Sequence, residues 1–358
     1  MRTQILLLIA FPLAAQDALL RVSEPIGVAR EHEPVAVTIE GKERIVFVTV
    51  GARQTRLMPV ESARPVDTLR VDETNRVGCI VENAVFRADL SGRLVGDRQE
   101  DSGTLRALTY KPAGVTLLRT QNRMHWAPSI QRSGAKGYAS IGTWHPVQQF
   151  HRALSPGFFV HTRDGFHQDY PEVRLQAEYR FFAHAPYFLF HSVMQVERPL
   201  VLYLLRNQEM TMDDRFTHVA WPGRNGATRL TTFDERKALL EKEPLPAETP
   251  WVCFVNLDRG YGFGAVVLDY QATKTANPFT SINDGANNGK YWDRRLITMV
   301  DTPVAAGDRW TERTAYVLFR ATRAQPIQEF LDWEKRLRNP VRVEVVRRPA
   351  RTEAPKAQ

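Results

Sequence analysis

Hydrophobic and polar positions alternate most cleanly between Glu172 and Trp221. Val173, Leu175, Ala177, Tyr179 and Phe181 are interleaved with Arg174, Gln176, Glu178 and Arg180. A period of two sends one set to a buried face and the other to water, which predicts an antiparallel strand that is wet on one side. Two further β-like runs, Tyr187 to Val193 and Leu200 to Leu205, follow before the chain turns polar.

The same signal recurs at lower contrast along most of the chain. Leu19 to Val50 holds short apolar runs split by turn-rich or charged residues, as in a small β-sandwich. Thr68 to Leu90 continues it, with Glu82 and Asn83 at the turn of a tight strand pair. Trp251 to Leu257 and Gly262 to Leu268 flank DRGYG as a hairpin, and Thr314 to Arg320 reads as a late strand. Helical periodicity is confined to DERKALLEKE (234–243) and to Pro326 to Leu337, where Ile327, Phe330, Leu331 and Leu337 form one stripe. Past Pro340 too few apolar residues remain for a core, so disorder is expected there. The organisation predicted is a leader (1–15), an N-terminal β-sandwich module (16–74), a large β-domain (75–324), a C-terminal amphipathic helix (325–340) and a basic tail (341–358).

Composition changes this picture little. Apolar residues make up 43% and charged residues 25% of 358, values that exclude fibrous and membrane classes. The N-terminus says more: Arg2, the apolar run Ile5 to Leu13, and Ala14 and Ala15 before Gln16 have the order of a secretory signal peptide, and the run is too short to span a bilayer. Export, to the periplasm or the medium, is therefore expected, and with it conditions in which a disulfide persists. Cys79 and Cys253 offer either one bridge or two buried thiols. The formal charge of +8, which becomes +7 when Arg2 leaves, favours a polyanionic partner; for an exported chain that is acidic polysaccharide or an anionic envelope surface rather than nucleic acid.

Three clusters compete for chemistry. Arg206, Asn207, Glu209, Asp213 and His218 follow a strand end, near Trp221. The second runs from His125 to His167, where His125, Trp126, Trp144, His145, His151, His161 and His167 stand in segments of the kind that recognise sugars, an aromatic ring taking the apolar face of a pyranose and polar groups its hydroxyls. Tyr291, Trp292, Arg294 and Arg295 form the third. Together they supply what β-elimination from a uronate polymer requires. Arg206, Asn207 or Arg294 would neutralise the substrate carboxylate, His218, His125 or His145 would remove the adjacent proton, and Tyr291 would protonate the leaving oxygen. Trp126, Trp144, Trp221, Trp292 and Arg295 would hold the chain. A hydrolase would use Glu209 and Asp213 as paired carboxylates. No dinucleotide or phosphate loop and no HExxH spacing occurs, and Asp284, Asn287 and Asn288 are too generic for calcium, so no cofactor or metal is predicted.

The run NRVGCIVENAVFRADLSGRL resembles the first strands of galactose mutarotase-like supersandwich domains, and EVRLQAEYRFFAHAPYFLFHSVM resembles their central strands. DRGYGFGAVVLDY with YWDRRLI is similar to their later part, and RVSEPIGVAREHEPVAVTI resembles the first β-domain of exo-acting rhamnogalacturonan lyase-like proteins. The resemblance implies an all-β protein, a small β-sandwich followed by a supersandwich, that acts on carbohydrate. Polysaccharide lyases, epimerases and glycosidases share that fold, so it leaves the reaction open, with a non-catalytic carbohydrate-binding or envelope-associated protein as the alternative. An epimerase would draw on His125, His218 and Glu209.

Overall fold

The computed structural model describes residues 6–7, 18–65, 68–92, 94–95, 98–99, 102–118, 128–142, 144, 148–212, 215–285 and 289–347. It is an all-β protein with two α-helices among the described residues, Arg236–Lys242 and Gln328–Arg338.

A ten-stranded sheet dominates. Its order is Leu6–Leu7, Gln149–Ser155, Phe158–His167, Tyr170–Phe182, Tyr187–Val196, Arg309–Arg320, Tyr261–Ala272, Trp251–Asn256, His218–Pro222 and Thr228–Thr232. Tyr170–Phe182 alternates in burial as its sequence predicts: Val173, Leu175, Ala177 and Tyr179 are buried, and Arg174, Gln176, Glu178 and Arg180 face the other way. Its buried face shares one core with two five-stranded sheets, one running from Val115–Leu118 to Arg70–Glu73 and the other from Ala139–Ser140 through Ser129–Arg132, Leu200–Met212 and Gly289–Val304 to Phe279–Gly285. The result is a two-layer sandwich.

Among the described residues, the outer face of the ten-stranded sheet is covered at one end. There Phe330 of the second helix packs between Trp251 and Phe319, with ring centroids at 5.5 and 5.4 Å. The close approach depends on Gly264, where a Cβ would meet the Phe330 ring at 2.5 Å. Phe47 of the N-terminal module joins the same cluster through Phe182 and its neighbours.

That module consists of the hairpin Arg30–Ile39 with Lys42–Val50 and a three-stranded sheet of Thr55–Pro59, Ala18–Ser23 and Arg342–Arg347. The last strand corrects the expected disorder of the tail. Val341 and Val343 pack into the module core while Ala18–Ser23 supplies a full backbone ladder, so few apolar residues suffice. Leu6–Leu7, from the stretch read as a leader, lies parallel to Ala153–Leu154; the rest of that stretch, 1–5 and 8–15, is outside the described residues. Cys79 and Cys253 are buried free thiols in separate core clusters.

One buried ion network ties module to helix. Arg30 is fully enclosed, paired with Glu24 at 3.3 Å and Glu33 at 2.7 Å, and it donates to the carbonyl of Asn339, just past the second helix, at 2.8 Å. Burial opposes ionisation of Glu24, but backbone N–H groups of Arg53, Ile26, Gly27 and Val28 outweigh it and hold its carboxyl at about 2. Because the folded value lies below the unfolded one, the stabilisation is complete above the ordinary carboxylate range and is lost as pH falls towards 2. Arg30→Ala should cost about 3–5 kcal/mol by leaving Glu24 buried without its cation. Glu24→Gln should destabilise strongly at pH 7 and progressively less on acidification, as read by urea unfolding across that range.

Candidate functional site

On the uncovered part of the ten-stranded sheet, register sets outward side chains in rows. His151, Thr162, Glu178, His191 and Arg313 are successive cross-strand partners, and Gln149, Asp164, Gln176 and Val193 form the adjoining row. These rows line a recess of about 380 Å³ that includes Gln149, His151, Thr162, Asp164, Glu178 and His191. Its two carboxylates are held. Asp164 accepts from Arg174 Nε and Nη2 at 3.0 and 2.9 Å and from Gln176 Nε2. Glu178 accepts from Arg180 Nε at 2.5 Å, and Arg180 also reaches Glu43 of the N-terminal module at 3.3 Å.

His191 is half-buried beside Glu178. Burial lowers its pKa; Glu178 opposes this, and Arg180, Arg309 and Arg313 add to the lowering. The imidazole is thus neutral at neutral pH, a proton acceptor with arginines around it.

Of the residues singled out in the sequence, His151 lies at this recess, and the others that are described do not converge there. Arg206 and Arg295 are cross-strand partners on the second five-stranded sheet and share Asp293, whose side chain is fully enclosed, at 3.0 and 3.4 Å. Arg206 also donates to Ser129 Oγ at 2.8 Å and lies under the exposed Tyr138 ring, and Ser281 donates to Asp293. Tyr291 follows the same alternation and is half-buried opposite Thr211 and Asn283. Glu209 stands opposite Asp293 in backbone register; its side chain, with Asp213, His125, Trp126 and His145, lies outside the described residues.

Asn207 and Arg294, also cross-strand partners, point the other way, into the sandwich. Arg294 stacks on Tyr270 at 4.2 Å and donates to the carbonyl of Thr249 at 3.2 Å, so neither it nor Asn207 can receive a polymer's carboxylate. Trp144, Trp221 and Trp292 have relative exposures of 0, 2 and 1% and belong to the core, which leaves them no ring face for a sugar. His218 lies in the ten-stranded sheet, bonded to Thr217 Oγ1 at 2.8 Å and near Glu235, on a different sheet from Arg206. Asp284, weighed for calcium, is paired with Lys290 at 2.8 Å.

Two residues were missed. His191 sits in YFLFHSVMQV, where its position opposite Glu178 is set by register rather than by local sequence. Glu312 was visible in principle, since Trp310, Thr314, Tyr316 and Leu318 put it on the inward set of WTERTAYVLF. Its carboxyl is wholly buried, and among the described residues neither oxygen has a hydrogen-bond partner. Burial pushes it up to about 8, with Arg294 pulling the other way.

No protein-family model matches the chain, and no curated protein matches it. Among solved structures, a TPR-domain containing protein from Parabacteroides distasonis is similar at TM-score 0.40 and 9% identity, covering 84% of this chain and 54% of that one. A galactose mutarotase-like protein from Lactobacillus casei is similar at 0.42 and 10%, covering 68% and 100%. A heparan sulfate lyase from Pedobacter heparinus is similar at 0.38 and 12%, covering 75% and 39%. The chain therefore spans about half the length of the first and two-fifths of the third.

The Glu312 environment carries its own expectation. A carboxyl whose folded pKa is raised leaves the folded state holding a proton that the unfolded state releases, so stability falls as pH rises from the ordinary carboxylate range to about 8. Glu312→Gln should remove that slope and raise the melting temperature most above pH 8, measured by calorimetry from pH 5 to 9.

Proposed function

We propose that this protein cleaves an acidic, uronate-bearing polysaccharide by β-elimination at the recess on the outer face of the ten-stranded sheet. The observation that carries the reading is His191, a half-buried imidazole kept neutral by its surroundings and set among Arg180, Arg309 and Arg313. An exposed arginine, Arg313 foremost, would neutralise the substrate carboxylate and acidify the proton on the neighbouring ring carbon. His191 takes that proton, the bond from the adjacent carbon to the glycosidic oxygen breaks as the ring double bond forms, and the imidazolium returns its proton to the leaving oxygen. His151 stands three strands away, roughly 14 Å at about 4.8 Å per strand, and would meet a neighbouring sugar unit.

A hydrolytic dyad is less well supported, because Asp164 is gripped by Arg174 and Glu178 by Arg180. The same tied carboxylates favour a second reading, a rack of fixed polar groups that binds the polymer without cleaving it. The sequence resemblance to rhamnogalacturonan lyase-like proteins places pectic polymers first among substrates to try. The leader-like N-terminus supports work outside the cytoplasm, and no helix among the described residues is long and apolar enough to cross a membrane.

Incubation with pectic, glucuronan and glycosaminoglycan polymers should generate a near-ultraviolet absorbance from the unsaturated uronate. His191→Ala should reduce its rate by about 10²–10⁴-fold. Arg313→Ala should weaken turnover on acidic polymers. Reducing ends without absorbance would make the protein a hydrolase, and binding without either product would make it a binding module.

A further inference from the structure

His32 and His184 meet where the N-terminal module touches the ten-stranded sheet. Their ring centroids are 5.5 Å apart with planes inclined at 35°, and both residues are half-buried, so the pair is reachable from solvent. Each is held by its backbone. His32 occupies the left-handed region at φ +48°, where the register of the hairpin slips between Arg30 and Glu33, and its N–H donates to Thr49 Oγ1 at 3.1 Å. His184 lies in the corner between Tyr170–Phe182 and Tyr187–Val196. Asn83 Nδ2 pins that corner by donating to the carbonyls of Phe182 and Ala185 at 2.8 and 3.0 Å.

We propose that His32 and His184 form a two-histidine site for a divalent first-row transition ion of the zinc class, clasped between the module and the large sheet. With a metal–nitrogen bond of about 2.0–2.1 Å, an ion bound to both rings lies about 3.2 Å from each ring centre. Centroids 5.5 Å apart then subtend roughly 120° at the ion, close to the tetrahedral geometry that zinc accepts. Neutral imidazole is a favoured ligand for such ions, whereas a hard cation such as calcium would want oxygen donors. Glu33, next in the chain to His32, is taken by Arg30, and among the described residues no third His, Cys, Asp or Glu completes a group here, so water would fill the remaining positions. The strained backbone at His32 is the second sign: a non-glycine residue kept in this region is over-determined by its surroundings, and such positions gather where a side chain has to be aimed. The ion would join two parts of the chain that meet only on folding, and binding would therefore stabilise the fold.

The test uses the full chain without an affinity tag. Equilibrium dialysis against zinc should find one ion per chain, and thermal unfolding should shift upward with zinc concentration and return with a chelator. Both effects should vanish in His32→Asn, which tolerates the left-handed backbone, and in His184→Asn, while both variants without zinc keep the unfolding temperature of the zinc-free parent to within a few degrees. Absence of stoichiometric zinc overturns the proposal. So does zinc binding that survives both substitutions, which would place the ion on other histidines such as His151 and His191.

Discussion

The rings of Tyr179, Phe181, Phe188 and Tyr316 are packed in series, with centroids 6.1, 5.6 and 5.3 Å apart from one to the next, and they decide which way the neighbouring strands face. A slip of one residue in any of these strands would turn its aromatic set outward and its charged set into the core. The outward row of His151, Thr162, Glu178, His191 and Arg313 is the other half of the same constraint. The recess is therefore positioned by the core beneath it, and its residues gain a rigid platform without being part of the packing.

Burial also sorts the charges. Outward carboxylates such as Asp164 and Glu178 are paired with arginines a strand or two residues away. Inward, Glu312 has no such donor and burial pushes it towards its neutral form, while burial also lowers the pKa of Arg294, which stacks on Tyr270. Glu24 shows a third solution, since four backbone N–H groups outweigh its burial and keep it ionised, with Arg30 paired beside it. A carboxyl group thus meets three different surroundings in one fold, according to whether arginine side chains, backbone N–H groups or neither reach it.

Much of the fold was legible in the sequence, because strands such as Tyr170–Phe182 keep strict alternation and the hairpin Trp251–Asn256 with Tyr261–Ala272 is marked by glycine. The C-terminal helix fell within three residues of its predicted limits. The strand Arg342–Arg347 was not legible, since it draws its stability from a partner more than three hundred residues away. The site was harder still. Register slips between Leu205 and Arg206 and between Asn207 and Glu209, the second around Gln208 at φ +51°, send Arg206 outward and Asn207 inward, and no local pattern announces either slip. Tryptophans that resembled sugar platforms were large core residues, a distinction that composition cannot make.

An acidic glycan bound on the outer face as proposed would lie against His191. The most direct test follows the histidine ring signals of ¹³C-labelled protein by NMR as an oligouronate is added. The signals of His191 and His151 should shift together and saturably, while that of the buried His161 stays in place. Saturable shifts confined to His218, or none at His191 at concentrations that support binding, would contradict the account.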